Sequence, residues 1–200
     1  LKPGVLENHP YAAYYEERDA FVKTPDGSED YRGRWWGGEG RFIDFTGEAG
    51  RNAWKELLKS TILEKGAKTV WNDNCEMDGI EDREAICAFE GEKGTMAELK
   101  IIHSNMMAYV AKQALAEVYP VERPYIINRA GYAGIQRYAP VWGGVNLTSG
   151  KTVKYNIATT LCMGLPGCAK TSCVSRGIAG TSPEPPLQLR RGQAGRVQPT

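Results

Sequence analysis

Apolar residues recur at helical spacing in three stretches of the chain, and the first two end at a helix stop signal. Residues 48–65 carry apolar side chains three and four positions apart and stop at Gly66, a residue typical of helix ends. Residues 97–119 repeat the pattern and stop before Pro120, which cannot continue a helix. Residues 151–163 form the third stretch. The pattern therefore predicts three helices.

Two short apolar runs predict strands, and polar residues follow both of them. Residues 69–71 come after the first helix, and residues 124–127 come after the second. This alternation favours a parallel sheet with crossover helices. The polar stretches 74–96 and 128–150 are predicted to be loops at the carboxyl ends of the strands, where an eightfold barrel carries its active site. An open, doubly wound sheet is the alternative.

The charge balance excludes several classes of partner. The 200 residues include 25 Lys and Arg against 24 Asp and Glu, for a net charge of +1. Nucleic acid and charged membrane surfaces are bound by clustered basic residues, which a balance of this kind does not favour. No run approaches the roughly 18 consecutive apolar residues of a membrane span, and residues 1–9 lack the features of a signal peptide. We therefore expect neither nucleic acid nor a membrane as a partner.

The residues that commonly hold metals or cofactors form no recognisable site in the sequence. His9 and His103 are far apart, and His103 lies within a helical pattern. The glycine-rich residues 37–40 precede no convincing helix, so a phosphate cradle is disfavoured. We expect no metal, no cofactor and no disulfide framework, because none of the cysteines forms a Cys-x-x-Cys pair and their number is odd. The cysteines are Cys75, Cys87, Cys162, Cys168 and Cys173.

The densest acidic cluster follows the first predicted strand. It lacks the spacing of a calcium loop, which leaves a solvated acidic loop and a catalytic carboxylate as alternatives. Asp73 lies at the strand end, close to Trp71. In sugar chemistry a carboxylate attacks or stabilises an oxocarbenium-like centre while an aromatic face stacks on the ring. The cluster consists of Asp73, Glu76, Asp78, Glu81 and Asp82.

Four motifs occur in an order that is highly specific when taken together. Residues 71–76 read Trp-Asn-Asp-Asn-Cys-Glu, and residues 129–139 contain an Arg, an aromatic residue followed by Ala-Gly, and Arg-Tyr-Ala. Asp-Phe-Thr stands upstream at 44–46, and Trp-Gly-Gly continues the match at 142–144. These motifs resemble those of glycoside hydrolase family 31, the α-glucosidase and α-transglucosylase family. The resemblance covers nearly the whole chain.

The resemblance implies a fold and a reaction. The fold would be α/β, with residues 1–200 as the central portion of a (β/α)₈ barrel that lacks its first strands and its carboxyl-terminal part, and with no second domain. The reaction would be a retaining double displacement on an oligosaccharide or α-glucoside, with Asp73 as the nucleophile, Glu76 in support and Asp44 in a structural role. Localisation and oligomeric state stay unassigned, because the true amino terminus is expected to lie upstream. The implied sugar-binding residues are Trp36, Trp71, Asn74, Arg129 and Trp142.

Three departures from the family pattern concern the second carboxylate and its surroundings. Val145 occupies the position of the general acid/base Asp, Gly150 stands where a Trp is usual, and Val174 replaces an Asp that holds the sugar. A retaining mechanism needs two carboxylates roughly 5–5.5 Å apart, so we expect impaired activity. The substitutions concentrate after residue 141 and keep register, which indicates a degraded gene copy or a sequence read with errors at one end. A non-catalytic carbohydrate-binding protein or a degenerate barrel remnant is the alternative.

Overall fold

The computed structural model describes residues 1–165, 167–168, 170–173 and 185–196. The chain forms two compact units, Leu1–Tyr132 and Ala133–Thr200. Each unit combines helices with strands, so the predicted α/β class is confirmed.

An antiparallel sheet of three strands opens the first unit, and the hydrophobic pattern did not predict it. Its strands cover residues 4–6 (β1), 32–35 (β2) and 38–42 (β3) and lie in the order β1-β3-β2. At Gly40 a Cβ would come within 2.2 Å of the Val5 carbonyl oxygen, so glycine is what lets the first and third strands approach. The glycine run thus lies in the turn and the second strand of the β2–β3 hairpin. The elements are β1 (Gly4–Leu6), α1 (Ala12–Glu16), β2 (Arg32–Trp35) and β3 (Gly38–Phe42).

The first predicted helix and the strand after it are confirmed. The helix α2 (Glu48–Thr61) covers most of the predicted residues 48–65, and a 3₁₀ turn (Leu63–Lys65) accounts for the rest. Gly66 then adopts a φ of 104°, which ends the helical stretch and directs the chain into β4 (Thr69–Asn72). The buried side of α2 consists of Gly50, Ala53, Trp54 and Leu58.

Residues 74–96, predicted to be a polar loop, contain a hairpin and a small hydrophobic core instead. The strand β5 (Ile86–Cys87) pairs antiparallel with β6 (Gly94–Thr95). The loop prediction was wrong because the apolar residues of this stretch occur singly and follow neither the helical nor the strand period. Within the stretch, the side chains that contribute to the core are those of Met77, Ile80, Ala85, Cys87 and Met96.

The second predicted helix is the longest in the described part of the chain. It is α3 (Met96–Val118), and it starts at a capping box in which the side chains of Thr95 and Glu98 each bond the other residue's backbone. It ends just before Pro120, as predicted. The buried face does not include every apolar residue of the helix, since Ile102 and Met106 are only half-buried. The residues with the least exposure are Met96, His103, Met107, Ala108, Val110, Ala111, Ala114 and Leu115.

A parallel pair of strands completes the first unit. The strand β7 (Tyr125–Asn128) pairs with β4 in a register that places Asn72 opposite Asn128. The helix α3 packs against both strands, so the predicted strand–helix–strand arrangement is confirmed. Parallel strands end at the same edge of a sheet. The residues that follow them, Asp73 and Arg129, therefore leave the sheet side by side.

The described residues of the second unit form a 3₁₀ turn (Ile135–Arg137), two short parallel strands and two α-helices. The third predicted helix is confirmed as α4, but its apolar residues are not its buried ones. Ile157 is 41% exposed and Leu161 is 70% exposed, whereas Thr160 is buried. Among the described residues, every helix is either too short or too polar to span a lipid bilayer. The elements of this unit are β8 (Val141–Trp142), α4 (Gly150–Gly164), β9 (Thr171–Ser172) and α5 (Pro185–Arg196), and β8 pairs with β9.

Substitution of Gly50 by Ala tests the close approach of α2 to the chain before it. A Cβ at this position would lie 2.1 Å from the Asp44 carbonyl oxygen, and that oxygen belongs to a buried backbone segment. We expect Gly50→Ala to lower the free energy of unfolding by about 1–3 kcal/mol through overpacking. Gly150→Ala is the matched control, because nothing lies within 4 Å of its Cβ position. Thermal denaturation of the two variants, each made in the natural protein, checks this expectation. Equal melting temperatures of the two variants would contradict the packing argument.

Candidate active site

Asp73 and Arg129 are brought together by the pairing of β4 with β7. Asp73 is the first residue after β4, and Arg129 is the first after β7. The ladder continues past the strands, since the Arg129 amide donates to the Asn72 carbonyl at 2.9 Å. The Asp73 amide donates to the Leu1 carbonyl at 2.7 Å on its other side. Both residues therefore have a fixed backbone, which directs their side chains to the same place.

A buried pair of asparagines joins these strand ends, and the sequence motifs did not predict this contact. Asn72 Nδ2 donates to Asn128 Oδ1 at 2.7 Å. Asn128 Nδ2 in turn donates to the Ser104 carbonyl of α3 at 2.8 Å and to the Ala130 carbonyl at 3.2 Å. Both side chains are fully buried. The polar residues at the two strand ends were the available signal, but their pairing depends on the register.

Two cations hold the carboxylate of Asp73, one on each oxygen. Arg129 Nη1 lies 3.1 Å from Oδ1, and Lys2 Nζ lies 2.6 Å from Oδ2. Burial by itself would raise the pKa of Asp73, but the hydrogen bonds from Lys2 and Arg129 outweigh it and hold the pKa below its ordinary value. Asp73 is therefore ionised at neutral pH, as a nucleophile has to be.

Glu76 contacts Arg129 from the other side. Arg129 Nε lies 3.2 Å from Glu76 Oε1, while Glu76 Oε2 is buried without a hydrogen-bond partner among the described residues. Burial raises the pKa of Glu76, and the nearby Arg129 only partly offsets this effect. Glu76 thus orients the guanidinium that contacts Asp73. This geometry agrees with the supporting role expected for it.

The exposed tryptophans of the first unit flank this charged group. Trp36, in the turn between β2 and β3, is 76% exposed and donates from Nε1 to Asn74 Oδ1 at 3.1 Å. Lys2 also donates to Asn74 Oδ1, and its Nζ lies 4.5 Å from the centre of the Trp36 ring. Trp71 is 49% exposed and lies two residues before Asp73, on the same side of the strand. Aromatic faces and a carboxylate therefore share one surface.

The other predicted site residues lie in the second unit. Trp142 ends β8 and is half-buried. Val145 follows three residues later with an exposed side chain that carries no group able to donate or accept a proton. Gly150 is the first residue of α4 and has open space around its Cβ position. Val174 lies outside the described residues.

A buried polar cluster lies elsewhere in the first unit, around Asp44, Cys87 and His103. One ligand-type atom from each lies within 4.8 Å of the others. The carboxylate of Asp44 already accepts from Thr46 Oγ1 at 2.6 Å, from the Thr46 amide at 2.9 Å and from the Ala88 amide at 2.6 Å. Burial raises the pKa of the Cys87 thiol and lowers the pKa of His103, so both are neutral. These contacts support the structural role expected for Asp44.

Cys75 is buried beside the catalytic candidates. Its Sγ accepts from the Ala130 amide at 3.3 Å, which links the chain after β4 to the chain after β7. Burial raises the pKa of this thiol to about 11. All five cysteines are free thiols, as expected, and Cys162 is the exposed one. Cys75 therefore contributes packing and a hydrogen bond to the site rather than a reactive thiolate.

Comparison with known proteins decides the family. Residues 1–200 match the model of the TIM-barrel domain of glycosyl hydrolases family 31. The chain belongs to glycoside hydrolase family 31. The resemblance drawn from the sequence motifs is thus confirmed, and the (β/α)₈ barrel of the family agrees with the parallel strands and helices described above.

Individual members of family 31 match at moderate identity. α-Glucosidase 2 of Bacillus thermoamyloliquefaciens is 31% identical over 176 residues, which is 84% of this chain and 22% of that protein. Human neutral α-glucosidase AB is 30% identical over 207 residues, covering 100% of this chain and 22% of that protein. A crystal structure of glucosidase II α subunit bound to DNJ matches with a TM-score of 0.83 and 25% identity, over 100% of this chain and 22% of that one. The chain thus spans about a fifth of the length of these relatives.

The burial of Cys75 predicts a low reactivity that can be measured directly. A pKa of about 11 leaves little thiolate at pH 8, and the side chain is shielded from solvent. We expect iodoacetamide to modify Cys75 about 100-fold more slowly than the exposed Cys162 in the folded natural protein. Peptide mass spectrometry measures both rates, and unfolding in urea should make them similar. Comparable rates in the folded protein would contradict the described burial.

Proposed function

We propose that this chain provides the nucleophile and part of the sugar-binding surface of a retaining glycoside hydrolase acting on α-glycosidic bonds, of the α-glucosidase or α-transglucosylase type. The observation that carries the proposal is Asp73, an ionised carboxylate at the end of a parallel strand, with one cation on each oxygen. Exposed Trp36 and Trp71 beside it suit a sugar ring. The names of the relatives support an α-glucoside or oligosaccharide as the substrate class.

The proposal includes the extent of the domain. Residues 1–200 would form the central portion of one catalytic (β/α)₈ barrel, without a second domain and without the first strands and the carboxyl-terminal part. Two observations support this extent: the whole chain matches a TIM-barrel domain model, and it spans 22% of each of the relatives described above. The sugar-binding surface would also include Asn74, Arg129 and Trp142.

The first chemical step forms a covalent sugar ester on Asp73. One carboxylate oxygen bonds to the anomeric carbon, and the bond from that carbon to the leaving oxygen breaks. The electron pair of the broken bond stays on the leaving oxygen, which must gain a proton. The second step adds water, or a sugar hydroxyl in transfer, to the anomeric carbon. The ester bond then breaks, Asp73 recovers its negative charge, and the attacking oxygen loses a proton.

Val145 limits both steps in this proposal. The residue at this position would protonate the leaving oxygen in the first step and take the proton in the second, and a valine side chain can do neither. Loss of a general acid or base costs on the order of 10²–10⁴-fold in rate. Substrates whose leaving group needs no proton should not show this loss of rate in the first step. The chain would therefore keep a working nucleophile without efficient turnover.

Labelling of Asp73 tests the nucleophile. A 5-fluoro-α-glucosyl fluoride loses fluoride without a proton donor, so we expect the full natural protein to gain one covalent sugar, located by mass spectrometry on the peptide that contains Asp73. Asp73→Asn should abolish the label. Asp78→Asn is the matched control, because Asp78 is an exposed acid of the same stretch. A label on another residue, or no label at all, would contradict the assignment.

Val145→Asp tests the acid/base position. In the natural protein we expect this change to raise the hydrolysis of an alkyl α-glucoside by about 10²–10⁴-fold, with little effect on α-glucosyl fluoride consumption in the first step. Val145→Asn is the matched control, since its side chain has a similar size and cannot ionise. With α-glucosyl fluoride as the substrate, azide should accelerate the turnover of the unsubstituted protein and yield the α-glucosyl azide.

The outcome of that experiment also separates the alternatives. If Val145→Asp leaves hydrolysis unchanged although Asp73 is labelled, the missing acid is not the limiting defect. If no label forms but glucose or isomaltose quenches tryptophan fluorescence at millimolar concentration, a non-catalytic carbohydrate-binding protein is the better interpretation. Neither label nor quenching would favour a degenerate barrel remnant.

A further inference from the structure

Lys2 makes three contacts around the candidate nucleophile, and none of them was anticipated from its place before β1. Its Nζ lies 2.6 Å from Asp73 Oδ2 and 4.5 Å from the centre of the Trp36 ring, and it donates to Asn74 Oδ1. The side chain is about one-third exposed, so the ammonium is reachable from the surface that carries the tryptophans. Lys2 therefore contacts the candidate nucleophile and two of the proposed sugar-binding residues, Asn74 and Trp36.

The two cations around Asp73 differ in what else they bind. Arg129 is shared between Asp73 and Glu76. Among the described residues, Asp73 is the one carboxylate that Lys2 contacts. In the described part of the chain, Lys2 therefore forms an ion pair with the nucleophile only, whereas Arg129 forms ion pairs with two acids.

We propose that Lys2 is a positioning residue that holds Asp73 ionised and oriented for attack, and that offsets the negative charge returning to Asp73 when the sugar ester breaks. The inference rests on the proposed function. In the second step, the oxygen of water bonds to the anomeric carbon and the bond between that carbon and Asp73 breaks. The electron pair returns to the carboxylate beside Lys2, and one proton of the water passes to solvent. A cation next to a departing carboxylate lowers the barrier for this step.

The charged groups facing Asp73 allow the effect of removing Lys2 to be separated from other effects. They are Lys2, Arg129 and Glu76. The hydrogen bond from Lys2 is the largest of the contributions that lower the pKa of Asp73, and burial opposes it. Without the lysine charge the pKa of Asp73 rises. As the pH is lowered, the nucleophile then becomes protonated at a higher pH than in the unsubstituted protein. An arginine at position 2 keeps the charge and should keep the pH dependence.

The test compares Lys2→Met, Lys2→Arg and Lys68→Met in the full natural protein. Lys68 precedes β4, at the end of that strand opposite to Asp73, and pairs with Glu122 at the surface, so it serves as the matched control. The first readout is the rate at which 5-fluoro-α-glucosyl fluoride labels Asp73, measured against pH. We expect Lys2→Met to shift the acidic limb of the pH–rate profile to a pH on the order of one unit higher. The other two variants should leave the position of this limb unchanged. A second readout is loss of the label, which Lys2→Met should slow by about tenfold.

A third readout requires no turnover. Calorimetry with the cationic iminosugar 1-deoxynojirimycin reports the ionised Asp73 through the pH dependence of binding. We expect the acidic limb of binding to move upward in Lys2→Met by the same amount as the limb for labelling. Suppose that the unsubstituted protein is labelled at Asp73, but Lys2→Met changes neither the two acidic limbs nor the rate at which the label is lost. The inference about Lys2 is then overturned, and the proposed function stands. If the unsubstituted protein neither accepts the label nor binds the iminosugar, both are overturned.

Discussion

The hydrogen bond between the side chains of Asn72 and Asn128 is the contact on which the candidate site depends. Both amides are fully buried, so a change of register that separated them would leave polar groups without partners, at a cost of about 1–3 kcal/mol for each group. The pair also ties the strand ends to the Ser104 carbonyl of α3. Because Asp73 and Arg129 are the next residues along the two strands, the same contact that fixes the register fixes the distance between carboxylate and guanidinium.

Burial and charge act in opposite directions around that carboxylate, and their balance explains the composition of the site. The strand end that shields Asp73 from water favours its neutral form, and Lys2 and Arg129 reverse this preference. Glu76 is half-buried, as Asp73 is, but it shares its cation with Asp73, and burial raises its pKa. The pKa of Asp73 is thus lowered and that of Glu76 is raised, although the two acids lie three residues apart. The lowered pKa keeps Asp73 charged and suited to attack, while Glu76 orients Arg129.

Much of the fold and part of the site could be predicted from the sequence. Long periodic segments predicted α2, α3 and α4, and the polar residues after the two parallel strands indicated where Asp73 and Arg129 would lie. The β2–β3 hairpin was missed because glycines, rather than alternating apolar residues, form it. The contact of Lys2 with Asp73 joins residues 71 positions apart. Such a contact depends on tertiary packing, which no local pattern of apolar residues encodes.

The conformation of Asn74 has a consequence for how this position can change during evolution. Its φ of 54° places it in the left-handed region, directly after the nucleophile. Only Gly, Asn and Asp adopt this region readily, since other side chains crowd the backbone there. The backbone turn therefore restricts the choice of residue at 74 before any sugar is bound. Conservation of an asparagine at this position would therefore reflect the geometry of the turn as much as the recognition of a substrate. An aspartate would keep the turn but would change the charge beside Asp73.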